Sequence, residues 1–305
     1  MDADLDTLAT ALYVTIDETL PASPELAPWR PAVGIAPKLT DAELLTLAVL
    51  QALLGHVSEA RWLRSARKHL RGLFPYLPGQ SGYSKRLKAA APQLRSFIRA
   101  LACDTGLWTQ TLWVADSTPI ECGRSRETVK RSALAGWAAY GYCRSHTRYL
   151  WGLRLHLVCA LHGLPVAFAL ANPKADEREV LVELLDVEPG LVAERPGLVI
   201  LVDKGDRDAE TETILAAQGV RVLRPASKGE VPRPGQGLFK PLRQRIESVN
   251  NTFKGQLDLE RHGGRTIQGV TVRVLQRLLA MTAAIWHNHK TGRPVLRSLI
   301  AYDHS

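Results

Sequence analysis

The chain has 305 residues and a mass of 33.6 kDa, is 46% hydrophobic and 23% charged, and carries a net charge of +9 with a pI near 9.6. Such a composition excludes a disordered or fibrous chain and supplies material for one large core or two ordinary ones. No apolar run approaches a membrane span, since the longest, Leu44 to Leu54, is broken by Thr46 and Gln51.

The acidic start, Met1-Asp2-Ala3-Asp4-Leu5-Asp6, is unlike a secretory or transit peptide. Cys103, Cys122, Cys143 and Cys159 form no C-x-x-C pair and read as reduced thiols. A cytoplasmic protein is therefore expected. Its charge is unevenly spread: residues 1–60 hold nine acids against Arg30 and Lys38. Residues 61–100 hold Arg61, Arg64, Arg67, Lys68, Arg71, Lys85, Arg86, Lys88, Arg95 and Arg99 with no acid. A merely solvated face mixes both signs, so this stretch reads as a phosphate-binding surface.

Residues 3–18 read as a helix, followed by a connection rich in proline. Thr40-Asp41-Ala42-Glu43 is a capping box, and Ser58 caps a further helix with Trp62, Leu63, Ala66 and Leu70 inside and Arg61, Arg64, Lys68 and Arg71 outside. Tyr83 to Ala90 and Pro92 to Ala102 complete a small all-helical domain, residues 1–106, compatible with a helix-turn-helix.

Near residue 107 the periodicity changes to that of strands. Thr111 to Asp116 is the first strand, followed by Ser117-Thr118-Pro119 and a basic loop containing Trp137 and Tyr140. Leu153 to Val158 is the second strand and Val166 to Leu170 the third; Asp176 caps a helix through Leu185. Leu198 to Val202, apolar throughout, is a central strand covered on both faces and ends in Asp203-Lys204-Gly205. A helix from Ala209 to Gln218, a fifth strand from Val220 to Leu223 and a last helix follow. The order β-β-β-α-β-α-β-α predicts an α/β domain over 107–290, an RNase H-like mixed five-stranded sheet with flanking helices. Residues 291–305 form a tail, and the helix Val272 to His287 is expected to pack on the sheet.

The stretch Leu238 to Lys254 carries two helical stripes, one apolar (Leu242, Ile246, Val249, Phe253) and one polar (Arg243, Glu247, Asn250, Lys254). Taken alone, the polar stripe suits a surface ion-pair ladder. In an RNase H-like sheet, however, the first and fourth strands are neighbours. Asp116 and Asp203 then emerge side by side, with Glu247 presented by the last helix. Three converging carboxylates repel one another unless cations bind, and hard oxygen donors select Mg²⁺ or Mn²⁺. Two such ions about 4 Å apart serve in-line displacement at phosphorus.

Asp116-Ser117-Thr118-Pro119, Asp203-Lys204-Gly205 and Arg243-x3-Glu247-x6-Lys254 resemble the three signature blocks of the DDE transposases of bacterial insertion sequences. Trp151-Gly152-Leu153-Arg154-Leu155-His156 is similar to that family's Tyr-Gly-x-Lys-x-His strand. The resemblance implies that Asp116, Asp203 and Glu247 are catalytic and hold two Mg²⁺ ions, which Mn²⁺ can replace. Arg243 and Lys254 would then contact DNA phosphates near the site. It also implies double-stranded DNA as partner (terminal inverted repeats and target), a homodimer in the synaptic complex, nucleoid association and no membrane. Lys204, Lys240, Arg61, Arg64, Lys68, Lys85 and Arg86 join the expected DNA-contacting set. Two positions depart from the family pattern. Lys240 stands where a tyrosine is usual and contacts phosphate without stacking, and Asp206 replaces an aromatic and adds negative charge.

Among the remaining candidates, Asp176 and Asp208 are expected as helix caps, while Asp206 and Glu121 suit supporting or DNA-facing positions. His156 faces either the cleft or a core. His287-x-His289 shares no helical face and is set aside as a metal pair. Trp137 and Tyr140 belong either to a core or to a stacking surface for a distorted DNA end. The expected function is a transposase that cuts at its element's ends and joins the 3′-hydroxyl to target DNA. The alternatives are an RNase H-like nuclease without strand transfer and a catalytically inactive, transposase-derived DNA-binding protein.

Overall fold

The structure is a computed structural model that describes residues 3–26, 36–143, 148–203, 209–226, 230–231, 236–295 and 299. Two units emerge, 1–101 together with 252–305, and 102–251.

In the first unit, α1 (Ala3–Ala22) buries Leu5, Leu8, Leu12 and Ile16, a stripe at helical spacing. The expected capping box opens α2 (Asp41–Leu53): Glu43 N donates to Thr40 Oγ1 at 3.1 Å and Thr40 N to Glu43 Oε2 at 2.6 Å. Ser58 caps α3 (Glu59–His69), which buries Trp62, Leu63 and Ala66 and leaves Arg61, Arg64 and Lys68 in water. Next come α4 (Gln80–Ala89) and α5 (Ala91–Cys103).

The second unit runs β1 (Leu112–Gly123), α6 (Arg126–Lys130), β2 (Ala139–Cys143), β3 (Arg148–Ala160), β4 (Pro165–Ala171), α7 (Glu177–Val187) and α8 (Gly190–Ala193). It continues with β5 (Val199–Leu201), α9 (Ala209–Ala217), β6 (Arg221–Leu223) and α10 (Gln236–Asn251). Strands β1, β3 and β4 form an antiparallel meander, while β5 and β6 lie parallel beyond β1. That is the order of an RNase H-like sheet, and its fold class is the one expected.

Two details differ from the sequence reading. The sheet has a sixth strand, because the loop carrying Tyr140 folds into β2 and pairs with the first half of β3. Strand β1 does not end at Asp116 but continues to Gly123 against β3. Pro119 lies within this extension; β5 pairs only as far as Val114, so beyond that residue β1 is an edge on one side and tolerates a residue with no N–H. Gly152 explains part of the quoted β3 motif. A Cβ there would lie 2.0 Å from the Ile120 carbonyl oxygen, beside the register shift between Glu121 and Gly123, so only glycine lets the strands approach.

After α10 the chain makes a π-helical turn, Thr252–Gln256, and a 3₁₀ turn, Leu259–Arg261, before α11 (Ile267–Lys290). Contrary to expectation, α11 packs with α1, α2 and α4 in the helical unit. Its polar groups show why. Arg273 pairs with Glu59 at 2.6 Å, and Gln276 Nε2 donates to the Ala48 carbonyl at 2.5 Å and to Gln51 Oε1 at 3.1 Å. Buried polar groups of this kind require matched partners, and only α2 and α3 present these ones. Among the described residues no helix is long and apolar enough to cross a membrane.

Candidate active site

Strand register carries the geometry. Leu112, Trp113 and Val114 lie opposite Val199, Ile200 and Leu201 in the parallel pair of β1 and β5. Beyond the last pair, Asp116 of β1 and Asp203, two residues past the end of β5, line the same cleft. Helix α10 docks on these two strands through Phe239, Ile246 and Val249, all buried, and so turns Arg243 and Glu247 outward.

Asp116 is half-buried; one oxygen accepts from the Ser117 N–H at 2.8 Å and the other from Asn250 Nδ2 at 2.8 Å. Burial pushes its carboxyl up to about 6, helped by the negative charges of Glu177 and Asp203 and opposed by the Ser117 N–H and Arg243. Asp203 and Glu247 are more open and share one cation. Arg243 Nη1 reaches Asp203 Oδ1 at 2.8 Å, and its Nε reaches Glu247 Oε1 at 3.0 Å. Asp116, Asp203 and Arg243 line a small cleft whose apolar wall includes Val114, Leu201 and Ile246.

Among the described residues no three His, Cys, Asp or Glu side chains close on one point as a ligand set. The Arg243 guanidinium instead stands between Asp203 and Glu247, a positive charge between two carboxylates. Donors of this type, all oxygen and all anionic, fit a hard divalent ion.

The other expected residues are distributed as follows. Arg61, Arg64 and Lys68 line the outer side of α3, and Lys85 is exposed on α4. Arg86 donates to the Leu39 carbonyl at 2.5 Å and pairs with Asp41 at 2.7 Å, so its charge already ties α4 to the start of α2. Lys254 is half-buried on the π-helical turn of the helical unit. Lys204, Asp206 and Asp208 lie outside the described residues, as does the side chain of Lys240 on α10. Asp176 is the cap of α7: the Arg178 N–H donates to it at 2.9 Å, and hydrogen bonding from the Arg178 side chain holds its carboxyl down at about 2. Glu121 pairs with Arg124 at 3.2 Å.

His156 is buried opposite Ser117 and lines, with Asp116 and Glu177, a second small cleft floored by Leu181 and Leu215 of α7 and α9. Burial, then the nearby Arg154, lowers its pKa to about 4, and its Nε2 has no hydrogen-bond partner among the described residues. Trp137 and Tyr140 are exposed, not core.

Two contributors were not assigned from sequence. Asn250 was placed on the polar stripe, but it is 7% exposed and turned to Asp116. Its signal was the amide one position past buried Val249, four after buried Ile246. Glu177 raises the Asp116 pKa and pairs with Arg154. An acid directly after a helix cap is ordinary dipole decoration, so its position in the sequence alone does not single it out.

A family model described as a transposase DDE domain matches residues 108–283. No curated protein matches the chain.

Proposed function

We propose a function from one premise: the chain belongs to the transposase DDE domain family, as an insertion-sequence DDE transposase. It binds the terminal inverted repeats of its own element through the cations of the helical unit, Arg61, Arg64, Lys68 and Lys85. Asp116, Asp203 and Glu247 would hold two Mg²⁺ ions, with Mn²⁺ as a substitute, which would supply activation of a water or 3′-hydroxyl and stabilisation of the leaving oxygen of the scissile phosphodiester.

The chain's own groups prepare that step. Asn250 fixes the orientation of the Asp116 carboxylate by its 2.8 Å hydrogen bond. Arg243 neutralises Asp203 and Glu247 in the absence of metal, and its planar fork suits a phosphate once those oxygens are engaged. Lys204, Lys240 and Lys254 supply further phosphate contacts. Two ends are held together by a homodimer, and the reaction takes place on cytoplasmic, nucleoid DNA.

One observation carries this reading: Asp116 and Asp203 line one cleft beyond the paired stretch of β1 and β5, while one guanidinium braces Asp203 to Glu247. The test is cleavage and joining of a labelled duplex taken from the DNA flanking the gene, with Mg²⁺ and with chelator. Metal-dependent cutting followed by joining supports a transposase. Cutting without joining identifies a nuclease of the same fold, and binding without either identifies a DNA-binding protein.

A further inference from the structure

Four large aromatic side chains stand in water on one stretch of the sheet-bearing unit: Trp137 is 58% exposed, Tyr140 49%, Tyr142 44% and Tyr149 75%. Single exposed aromatics are ordinary, but a contiguous group is the mark of a binding surface. The β2–β3 pairing sets Tyr140 opposite Trp151 and Tyr142 opposite Tyr149, and cross-strand partners share a face. The Tyr142 and Tyr149 rings meet edge to face with centroids 5.1 Å apart. Gly141 and Leu150 point to the other, buried face, where a Cβ on Gly141 would come within 2.7 Å of Pro173. The tyrosines are thus held outward by a ribbon anchored from behind.

Charge selects the occupant. Residues 121–149 contain Arg124, Arg126, Lys130, Arg131, Arg144 and Arg148 against Glu121 and Glu127, which pair with Arg124 and with Lys130 and Arg131, so the stretch keeps a positive excess. A second copy meeting this stretch across a two-fold axis would set like charge against like. A polyanion is attracted, and one offering ring faces also uses the tyrosines. Paired bases in a duplex keep their faces inside the stack, whereas unpaired nucleotides present them.

We infer that the β2–β3 ribbon is a stacking platform for unpaired nucleotides of the DNA substrate, with Tyr142 and Tyr149 as the stacking residues and Trp137 and Tyr140 flanking them. The inference rests on the DNA-processing function proposed above and adds which form of DNA this surface takes. Its place on the sheet is suitable. Strand β1 runs from Asp116 to Gly123, roughly 23 Å at a strand rise of ~3.3 Å per residue. There Gly123 lies opposite Trp151, the partner of Tyr140. That span is roughly seven steps of B-DNA, so nucleotides on the ribbon and a phosphate at Asp116 belong to one substrate.

The test uses the full chain, a blunt duplex and the same duplex with an unpaired oligothymidine tail carrying 2-aminopurine. Wild type and the doubly substituted Tyr142→Phe, Tyr149→Phe protein should bind the tailed duplex about tenfold more tightly than the blunt one and quench the 2-aminopurine emission. Tyr142→Ala with Tyr149→Ala should lose the preference and the quenching while blunt-duplex affinity changes less than about twofold. Three results overturn the platform: no tail preference in the wild type, quenching retained by the double alanine variant, or a loss of tail binding matched by an equal loss of blunt-duplex binding. A change in sedimentation of the DNA-free double alanine protein, with tail binding unchanged, would overturn it in favour of a surface between copies. Failure of the wild type to bind either duplex would overturn the DNA-processing function as well, whereas binding of the blunt duplex without tail preference overturns the platform alone.

Discussion

Asn250 Nδ2 lies 2.8 Å from Asp116 Oδ2, joining the last helix of the sheet-bearing unit to its first strand across 134 positions of sequence. The amide is 7% exposed and, among the described residues, its Oδ1 has no hydrogen-bond partner. Burying a polar side chain with half of its capacity unused costs stability, which a site accepts when orientation matters more. The other Asp116 oxygen accepts the Ser117 N–H, so both oxygens of the carboxylate are held.

Asn250→Ala should therefore act through the metal response, not through DNA affinity. Outer partners of metal-binding groups are worth about 10–100-fold in metal affinity or activity. The variant should cleave roughly that much more slowly at fixed Mg²⁺, recover part of the rate at higher Mg²⁺, and bind the terminal repeat as wild type does. An unchanged Mg²⁺ dependence in cleavage titrations would contradict the role.

Asp116 and His156 should give opposite pH dependences of stability in metal-free protein. The folded pKa of Asp116, about 6, lies above its ordinary 3.8, so its stabilising contribution is complete below pH 3.8 and is lost as pH rises through 6. His156, at about 4 against 6.5, contributes fully above pH 6.5, and that contribution is lost as pH falls to 4. The two slopes nearly cancel between these limits. Asp116→Asn should exceed wild type by roughly 2 kcal/mol at pH 7, a margin that fades toward pH 4. His156→Leu should instead gain on wild type as pH falls. Chelator-treated thermal melts across this range check both, and parallel curves for all three proteins would contradict the two burials.

Arg243 competes with any cation for Asp203 and Glu247. Both pairs are about half exposed, with side-chain accessibilities of 44%, 49% and 53%, so each is worth no more than about 1 kcal/mol. Arg243→Gln should bind Mn²⁺ several-fold more tightly without DNA, yet bind and cleave DNA less well. Calorimetric titration with Mn²⁺ checks the first half; weaker Mn²⁺ binding in the variant would show that the arginine supports the metal site and does not compete with it.

Gly152→Ala should destabilise the sheet-bearing unit by roughly 3 kcal/mol or more. The added methyl would meet the Ile120 carbonyl oxygen at 2.0 Å in the interior of a strand pair, where neither backbone can retreat. A melting temperature within a few degrees of wild type would mean that β1 and β3 part there easily.

The sequence was most readable where structure is local. Thr40 with Glu43, Ser58 and Asp176 announced three helices through caps that need only three or four neighbouring residues. The apolar run Leu198–Val202 announced a central strand because coverage on both faces removes alternation. Asp203 follows the end of β5 as its apolar run suggests, whereas Asp116, read as a strand end, lies inside β1. What escaped depends on distant partners. The extension of β1 past Pro119 is possible only because β5 stops at Leu201. The pairing of β2 depends on β3, and the place of α11 on Glu59, Ala48 and Gln51. Asn250 looked like one more polar residue on an exposed stripe, and only docking of α10 onto β1 turns it inward.

The measurement that bears most directly on the proposed chemistry compares wild type with Glu247→Gln on a labelled duplex carrying the element's inverted repeat, in Mg²⁺, scoring binding, cleavage and joining together. The substitution removes one charge at nearly constant shape, from a residue that is 53% exposed and therefore carries little of the fold. Wild type should cut and join while the variant binds equally well and does neither. Cleavage by the variant at the wild-type rate would contradict the assignment of Asp116, Asp203 and Glu247 as one catalytic set.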